Sequence, residues 1–173
     1  MEFLELINFE KLRRAILYFV LLAATLILQN TVLCRVTILG VKPMIVPAAV
    51  AAIGLFEDGQ WGGIFGIVAG VYCDLSSIGS TAMFTVCFAV IGFLSGLLSD
   101  LYINRRFYSY MILALISFLF LGLCQIVPLW IYRGAGLGAL VKTALLQSIW
   151  SLPFAALEYP LCRMISRLDL HSA

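Results

Sequence analysis

Some acidic residues lie within or beside long apolar stretches, where a carboxylate could carry a proton, bind a cation or act in catalysis; three of them bear on chemistry. They are Asp74, Asp100 and Glu158. Two aspartates that lie close together can share a proton and activate a water molecule. One long apolar stretch separates Asp74 from Asp100, which predicts a complete helix between them and places them on opposite faces of a membrane. We therefore expect no paired-aspartate site.

The side chains needed for nucleophilic or metal-assisted catalysis are scarce. The one histidine is His171, and the five cysteines form no CxxC motif. No group of histidine, cysteine and aspartate has the spacing of a metal site. The glycine-rich segment lies within apolar sequence, unlike the glycines of a phosphate-binding loop. We predict that the chain is not an enzyme and that it binds no metal ion or cofactor.

Asp74 and Glu158 each allow two interpretations. Asp74 is either a solvated residue at a helix end or an acid that a cation fixes within the membrane. The candidate cations are Arg35, Lys42 and Arg133. Glu158 lies inside the last apolar stretch, where its carboxylate either reaches the membrane interface or makes a buried contact with a partner.

Glycines recur at four-residue spacing in the middle of the chain. They are Gly62, Gly66 and Gly70 in one apolar stretch, followed by Gly92 and Gly96 in the next. On a helix this spacing makes a flat stripe that lets another helix approach closely, which matters because lipid supplies no hydrophobic drive for helix association. The stripes either pack helices of this chain together or receive a helix of another subunit. The remaining candidates for packing or partner contacts are Pro43 and Gly79.

The overall composition indicates an integral membrane protein. Of 173 residues, 63% are hydrophobic and 12% are charged, whereas soluble domains are about half apolar and roughly a quarter charged. The mean hydropathy is +1.07. Because the net charge is +2 and the basic residues are dispersed, we expect a lipid bilayer around the chain and no nucleic acid as a partner.

The apolar stretches predict an all-α fold, a bundle of about six transmembrane helices in one polytopic domain over residues 1–173. A helix needs about 20 residues to cross an apolar core of ~30 Å. The predicted helices cover approximately residues 15–33, 43–56, 61–75, 80–98, 108–131 and 138–161. Residues 43–72 form either two short spans or a re-entrant hairpin. The acidic turn at Glu57 and Asp58 favours two crossings, since these charges are costly in hydrocarbon.

Basic residues orient the predicted bundle by the positive-inside rule. With a cytoplasmic amino terminus, the cytoplasmic segments carry Lys11, Arg13, Arg14, Arg105, Arg106, Arg163 and Arg167. The segments on the opposite side carry Arg35, Lys42, Arg133 and Lys142. The excess on the first side predicts that both termini lie in the cytoplasm and that the chain is a multi-pass protein of the bacterial cytoplasmic membrane.

The motifs between Gln29 and Gly79, together with the size and helix count of nearly the whole chain, resemble MreD, the family of rod-shape-determining membrane proteins. That family has a polar pair at the end of the first helix, a Gly-x-x-Pro motif, and a glycine-rich helix that closes in Gly-x-x-x-Asp. Many members carry an acid directly after the proline, whereas this chain has Met44. The residues that match are Gln29, Asn30, Gly40, Pro43, Gly66, Gly70, Asp74 and Gly79.

The resemblance implies a non-catalytic subunit of the bacterial elongation complex, which organises peptidoglycan synthesis and cell shape. Its partners would be an MreC-type bitopic protein with a large periplasmic region, the actin-like MreB, RodA and a penicillin-binding transpeptidase. The implied fold is similar to the substrate-binding subunits of energy-coupling-factor vitamin transporters. A substrate-binding subunit of a small-molecule transporter is therefore the alternative function, and it requires a polar cavity.

Overall fold

The computed structural model describes residues 9–33, 35–37, 40–76, 82–101, 106–133 and 136–167. Over these ranges the chain is all-helical and has no β-strand, which confirms the all-α part of the predicted fold class. A π-helical turn, Gln29–Leu33, continues the first helix. The six helices are α1 (Phe9–Leu28), α2 (Val46–Phe56), α3 (Gly59–Ser76), α4 (Met83–Leu101), α5 (Phe107–Arg133) and α6 (Leu137–Arg167).

Three of the helical segments are long and apolar enough to cross a membrane: Leu12–Leu33, Phe107–Ile131 and Leu137–Ser166. The helix α2 is shorter than predicted, because it begins at Val46 and has 11 residues. At 1.5 Å per residue it is about 16 Å long, roughly half the thickness of the hydrocarbon core. The helices α1 and α6 are longer than predicted, because they continue past the apolar stretches into residues that carry charge.

The short helix α2 occupies the centre of the fold. All of its residues from Val46 to Phe56 are buried, as expected of a helix that is apolar on every side. Each of the other five helices contacts α2, and neighbours around it contact one another in the order α1, α6, α5, α4, α3 and back to α1. The fold is therefore a ring of five helices around a central half-length helix.

Two ends of this bundle can be defined from side-chain contacts. At the proline end, Gln29 after α1 bonds the segment around Pro43 that leads into α2. At the glutamate end, Arg14 of α1 forms an ion pair with Glu57 after α2, with Nη1 and Oε1 3.3 Å apart. Along the chain, α1, α3 and α5 run from the glutamate end to the proline end, and α2, α4 and α6 run back. The alternation is consistent with the predicted order of crossings.

Candidate functional site

Asp74 caps the start of α4 from the end of α3. Its carboxylate accepts hydrogen bonds from the backbone N–H groups of Phe84 at 3.2 Å and Thr85 at 2.9 Å, and from the Thr85 hydroxyl at 2.6 Å. The first N–H groups of a helix lack partners within the helix, and a carboxylate also favours that end of the helix dipole. Asp74 is 7% exposed, so the interpretation as a solvated residue is wrong. These partners are donors of α4, where the second interpretation proposed a cation.

The segment before α2 is held by side chains of two other helices. The Gln29 amide donates to the Pro43 carbonyl at 3.1 Å, and its oxygen accepts from the Ile45 N–H at 2.9 Å. From α6, the Ser151 hydroxyl accepts from the Met44 N–H at 2.9 Å. These bonds satisfy backbone groups that an apolar environment would otherwise leave unpaired. Sequence reasoning singled out Pro43 and missed Ser151, which carries no local motif.

The two glycine stripes face each other across the α3–α4 interface. A Cβ on Gly62 would meet the Gly92 carbonyl, and one on Gly92 would meet the Gly62 carbonyl. A Cβ on Gly66 would lie 2.9 Å from the Ala89 nitrogen. Close approach on both sides maximises the van der Waals contact that holds helices together in lipid. Gly70 and Gly96 pack in the same way, against the backbone around Thr85 and Gly59.

The position of these stripes favours packing within the chain over docking of another subunit. A third helix joins the interface through Gly54 of α2, where a Cβ would lie 2.9 Å from Ser95 Cβ and close to the Gly92 carbonyl. Sequence reasoning missed Gly54, whose only signal is its place in an alanine-rich run. Gly79 lies outside the described residues.

Glu158 is a buried acid on the inner side of α6. Its side chain is 5% exposed, and Oε1 accepts a hydrogen bond from the Thr25 hydroxyl of α1 at 3.2 Å. Oε2 has no hydrogen-bond partner among the described residues. The expectation that Glu158 reaches the interface is therefore wrong. Its buried contact lies within the chain, where it links α6 to α1.

Aromatic side chains close the glutamate end of the bundle. Tyr159 of α6 packs against Phe56 of α2 and Phe107 of α5, with ring centroids 5.6 and 5.3 Å apart. The Tyr110 hydroxyl donates to the Ala155 carbonyl at 3.0 Å. These contacts tie α5 and α6 to the central helix.

A contrasting region is the hairpin arm, which we define as residues 123–147, the end of α5 and the start of α6. None of the side chains that the structure describes in this range is buried. Because Ser151 bonds Met44 just before α2, the part of α6 that precedes Ser151 lies beyond the start of α2. Its large exposed apolar residues are Leu123, Val127, Leu129, Trp130, Ile131, Leu137, Val141 and Leu145.

Grooves lined by described residues open between neighbouring helices of the ring. The α1–α3 groove has a volume of about 400 Å³, and Phe19, Leu22 and Ala23 line it from α1 while Val68 and Tyr72 line it from α3. A smaller groove of about 110 Å³ lies between α4 and α5. Both are lined mainly by apolar side chains, unlike the polar cavity that a transporter subunit requires.

Within the described ranges, no three His, Cys, Asp or Glu side chains come together in a way that could hold a metal ion. The polar residues of the fold instead join helices to one another, and the hairpin arm presents exposed apolar side chains to its surroundings. Comparison with protein-family models, curated proteins and solved structures finds no match to this chain.

Proposed function

We propose that this chain is a non-catalytic membrane subunit of a bacterial elongation complex, similar to MreD, and that it holds the transmembrane helix of an MreC-type bitopic protein. The observation that carries the proposal is the hairpin arm, because none of the described side chains in residues 123–147 is buried. All six helices are taken to lie in the cytoplasmic membrane, with the half-length α2 enclosed by the other five.

The contacts of the matching residues support the resemblance to MreD. Gln29 and Pro43 bond to each other, Asp74 caps α4, and Gly66 and Gly70 pack against α4. Each of these residues joins two parts of the fold and none lines the described grooves. A motif made of such residues specifies a scaffold, as expected for a subunit that positions other proteins.

The first half of α6 has a surface suited to a second helix. Leu137, Val141, Leu145 and Ile149 follow one another at four-residue spacing and are 44–59% exposed. This spacing places them on one face over about 18 Å, more than half of a membrane crossing. Small residues favour close approach of helices in lipid, and Gly138 beside the stripe is open, because a Cβ there would meet nothing within 4 Å.

The proposed orientation suits an MreC-type partner. If the glutamate end faces the cytoplasm, the hairpin arm lies toward the periplasmic side of the membrane. An MreC-type protein has its large region on that side, directly after its transmembrane helix. A partner helix on the arm would therefore leave the chain in a defined position relative to RodA and the transpeptidase, while MreB remains on the cytoplasmic side.

The test is co-purification of the chain with the MreC-type protein of the same bacterium from detergent-solubilised membranes. The double variant Val141→Trp with Leu145→Trp places bulky rings on the exposed stripe. We expect it to recover about tenfold less partner, equivalent to about 1.4 kcal/mol of binding free energy.

Leu157→Trp is the matched control, because Leu157 is also an exposed apolar residue of α6, at 66%, and lies outside the arm. It should recover the partner as the unmodified chain does. Equal recovery by the double variant and the control, with both chains folded, would exclude the arm as the docking surface.

A further inference from the structure

The α1–α3 groove is closed at both ends by contacts between its two walls. At the glutamate end, Tyr18 of α1 and Phe65 of α3 meet edge to face, with ring centroids 6.4 Å apart. At the proline end, the Asn30 amide donates to the Tyr72 hydroxyl at 3.3 Å. Between these contacts α1 and α3 separate, and the buried side chains of Leu22 and Leu26 form part of the lining.

The groove is too small for a transmembrane helix and has the length of an acyl chain. A transmembrane helix with its side chains is about 10–12 Å across and ~30 Å long, so it occupies on the order of 2,500 Å³. The groove, at about 400 Å³, accommodates a small fraction of that volume. Phe65 and Tyr72 are seven residues apart, a rise of about 10 Å, and Tyr18 and Asn30 are twelve residues apart, a rise of about 18 Å. These two lengths bracket the ~15 Å depth of one membrane leaflet.

Charge at the proline end identifies the headgroup. Arg35 lies five residues beyond Asn30 and is exposed. The nearby acid Asp74 is buried and its carboxylate is occupied by donors of α4. Arg35 therefore places a positive charge at this end of the groove, which attracts an anionic phosphate group.

We propose that the α1–α3 groove binds one acyl chain of an anionic phospholipid, with its polar linkage near Asn30 and Tyr72 and its phosphate near Arg35. The site is independent of the proposed role in the elongation complex and requires only that α1 and α3 lie in the membrane. The bound chain replaces side-chain packing where the two helices separate, and it links the scaffold to the leaflet at the proline end.

The test uses the purified full chain in nanodiscs of phosphatidylcholine that contain phosphatidylglycerol with a photoactivatable acyl chain. After irradiation, mass spectrometry maps the cross-linked peptides. We expect cross-links to concentrate on α1 and α3 around Ala23 and Val68. Cross-links distributed over exposed apolar residues in proportion to their exposure, Leu157 included, would overturn the proposal.

Two neighbouring alanines provide a matched pair of variants. Ala23→Phe fills the groove, whereas Ala24→Phe adds the same ring at the exposed neighbouring position. We expect Ala23→Phe to lower groove cross-linking about tenfold, equivalent to about 1.4 kcal/mol, and Ala24→Phe to leave it unchanged. Equal cross-linking in the two variants would overturn the proposal. Val68→Phe fills the groove from the other wall and serves if Ala23→Phe does not fold.

The headgroup and the alternative occupant are tested in the same assay. Arg35→Gln should remove the preference for photoactivatable phosphatidylglycerol over photoactivatable phosphatidylcholine, and an unchanged preference would exclude Arg35 as the phosphate contact. Co-reconstitution with the MreC-type protein should leave groove cross-linking unchanged. Loss of cross-linking on its addition would assign the groove to a protein helix and overturn the lipid site.

Discussion

At the scale of single residues, Asp74 is the clearest case of a side chain that builds the fold. It lies on α3 and supplies the N-terminal cap of α4, so one carboxylate fixes the relative position of two helices. Its carboxylate accepts three hydrogen bonds from Phe84 and Thr85. Within a membrane, water cannot replace the carboxylate as the acceptor for these donors.

Replacement of Asp74 should therefore destabilise the protein. Asp74→Ala leaves the N–H groups of Phe84 and Thr85 unpaired, and we expect the free energy of unfolding to fall by about 1–3 kcal/mol. Asp74→Asn keeps one accepting oxygen and should lose less. Thermal or denaturant unfolding in detergent measures both values.

Ser76→Ala is the control for Asp74, because Ser76 is exposed near the same helix end and bonds only the Tyr72 carbonyl among the described groups. It should change stability by less than about 0.5 kcal/mol. If Asp74→Ala unfolds like the unmodified chain, the cap contributes nothing and Asp74 needs another explanation.

The sequence identifies the acids that matter at this scale but not their partners. Asp74 and Glu158 stand out because a carboxylate is costly in apolar surroundings. Which donors each one meets depends on the register between helices distant in the chain, Asp74 with α4 and Glu158 with Thr25 of α1. No local pattern reports that register, and this is why neither interpretation of Asp74 named the donors of α4.

At the scale of helices, the α3–α4 interface shows what glycine contributes to helix association. In lipid there is no hydrophobic drive between helices, and glycine allows the close backbone packing that holds them together instead. The predicted stripes of Gly62, Gly66 and Gly70, and of Gly92 and Gly96, lie at this interface with backbone against backbone. Their four-residue spacing is visible in the sequence because the α-helix repeats with nearly that period.

Two glycines of α3 that lie three residues apart should respond differently to replacement by alanine. A Cβ on Gly66 would collide with the Phe88 carbonyl and lie 2.9 Å from the Ala89 nitrogen, so Gly66→Ala should cost about 1–3 kcal/mol. A Cβ on Gly63 would meet Phe93 Cβ at an ordinary 3.6 Å. Gly63→Ala should therefore be neutral or stabilising by up to about 1 kcal/mol, since alanine favours helix more than glycine.

The same unfolding measurement in detergent compares the two alanine variants. Similar losses in both would mean that α3 is sensitive to any added side chain and that the backbone contact at Gly66 is not special. Pull-down of the MreC-type partner with folded Gly66→Ala adds a second result. Retained binding supports the assignment of this stripe to packing within the chain.

The central position of α2 could not be derived from its sequence. Its run of small and apolar residues predicts burial, but the residues that enclose it come from all five other helices. Its start at Val46 depends on Gln29 and Ser151, which bond the chain just before it. Because these contacts come from distant parts of the chain, the start of α2 differs from the start of the apolar stretch that predicted it.

At the scale of the whole molecule, the charges separate the two ends of the bundle. Arg14 and Glu57 pair at the glutamate end, and Arg106 precedes Phe107 there. Arg163 of α6 lies over the Tyr159 ring at 5.9 Å, at the same end. Arg35 and Lys42 lie at the proline end. By the positive-inside rule, Lys and Arg set the orientation and acids contribute little. The glutamate end has more of these described basic residues than the proline end, which favours a cytoplasmic glutamate end.

Cysteine labelling in intact cells tests this orientation at two exposed positions. Asp58 lies in the turn between α2 and α3, and a Cβ at Gly136, just before α6, would meet nothing within 4 Å. With the glutamate end in the cytoplasm, a membrane-impermeant maleimide should label Gly136→Cys directly and Asp58→Cys only after the cells are permeabilised. Both variants are made in a parent chain that carries Cys34→Ser. The labelling of that parent chain alone is measured and subtracted. The reverse pattern would place the hairpin arm in the cytoplasm, away from the periplasmic region of an MreC-type partner, and would remove the geometric basis for docking on the arm.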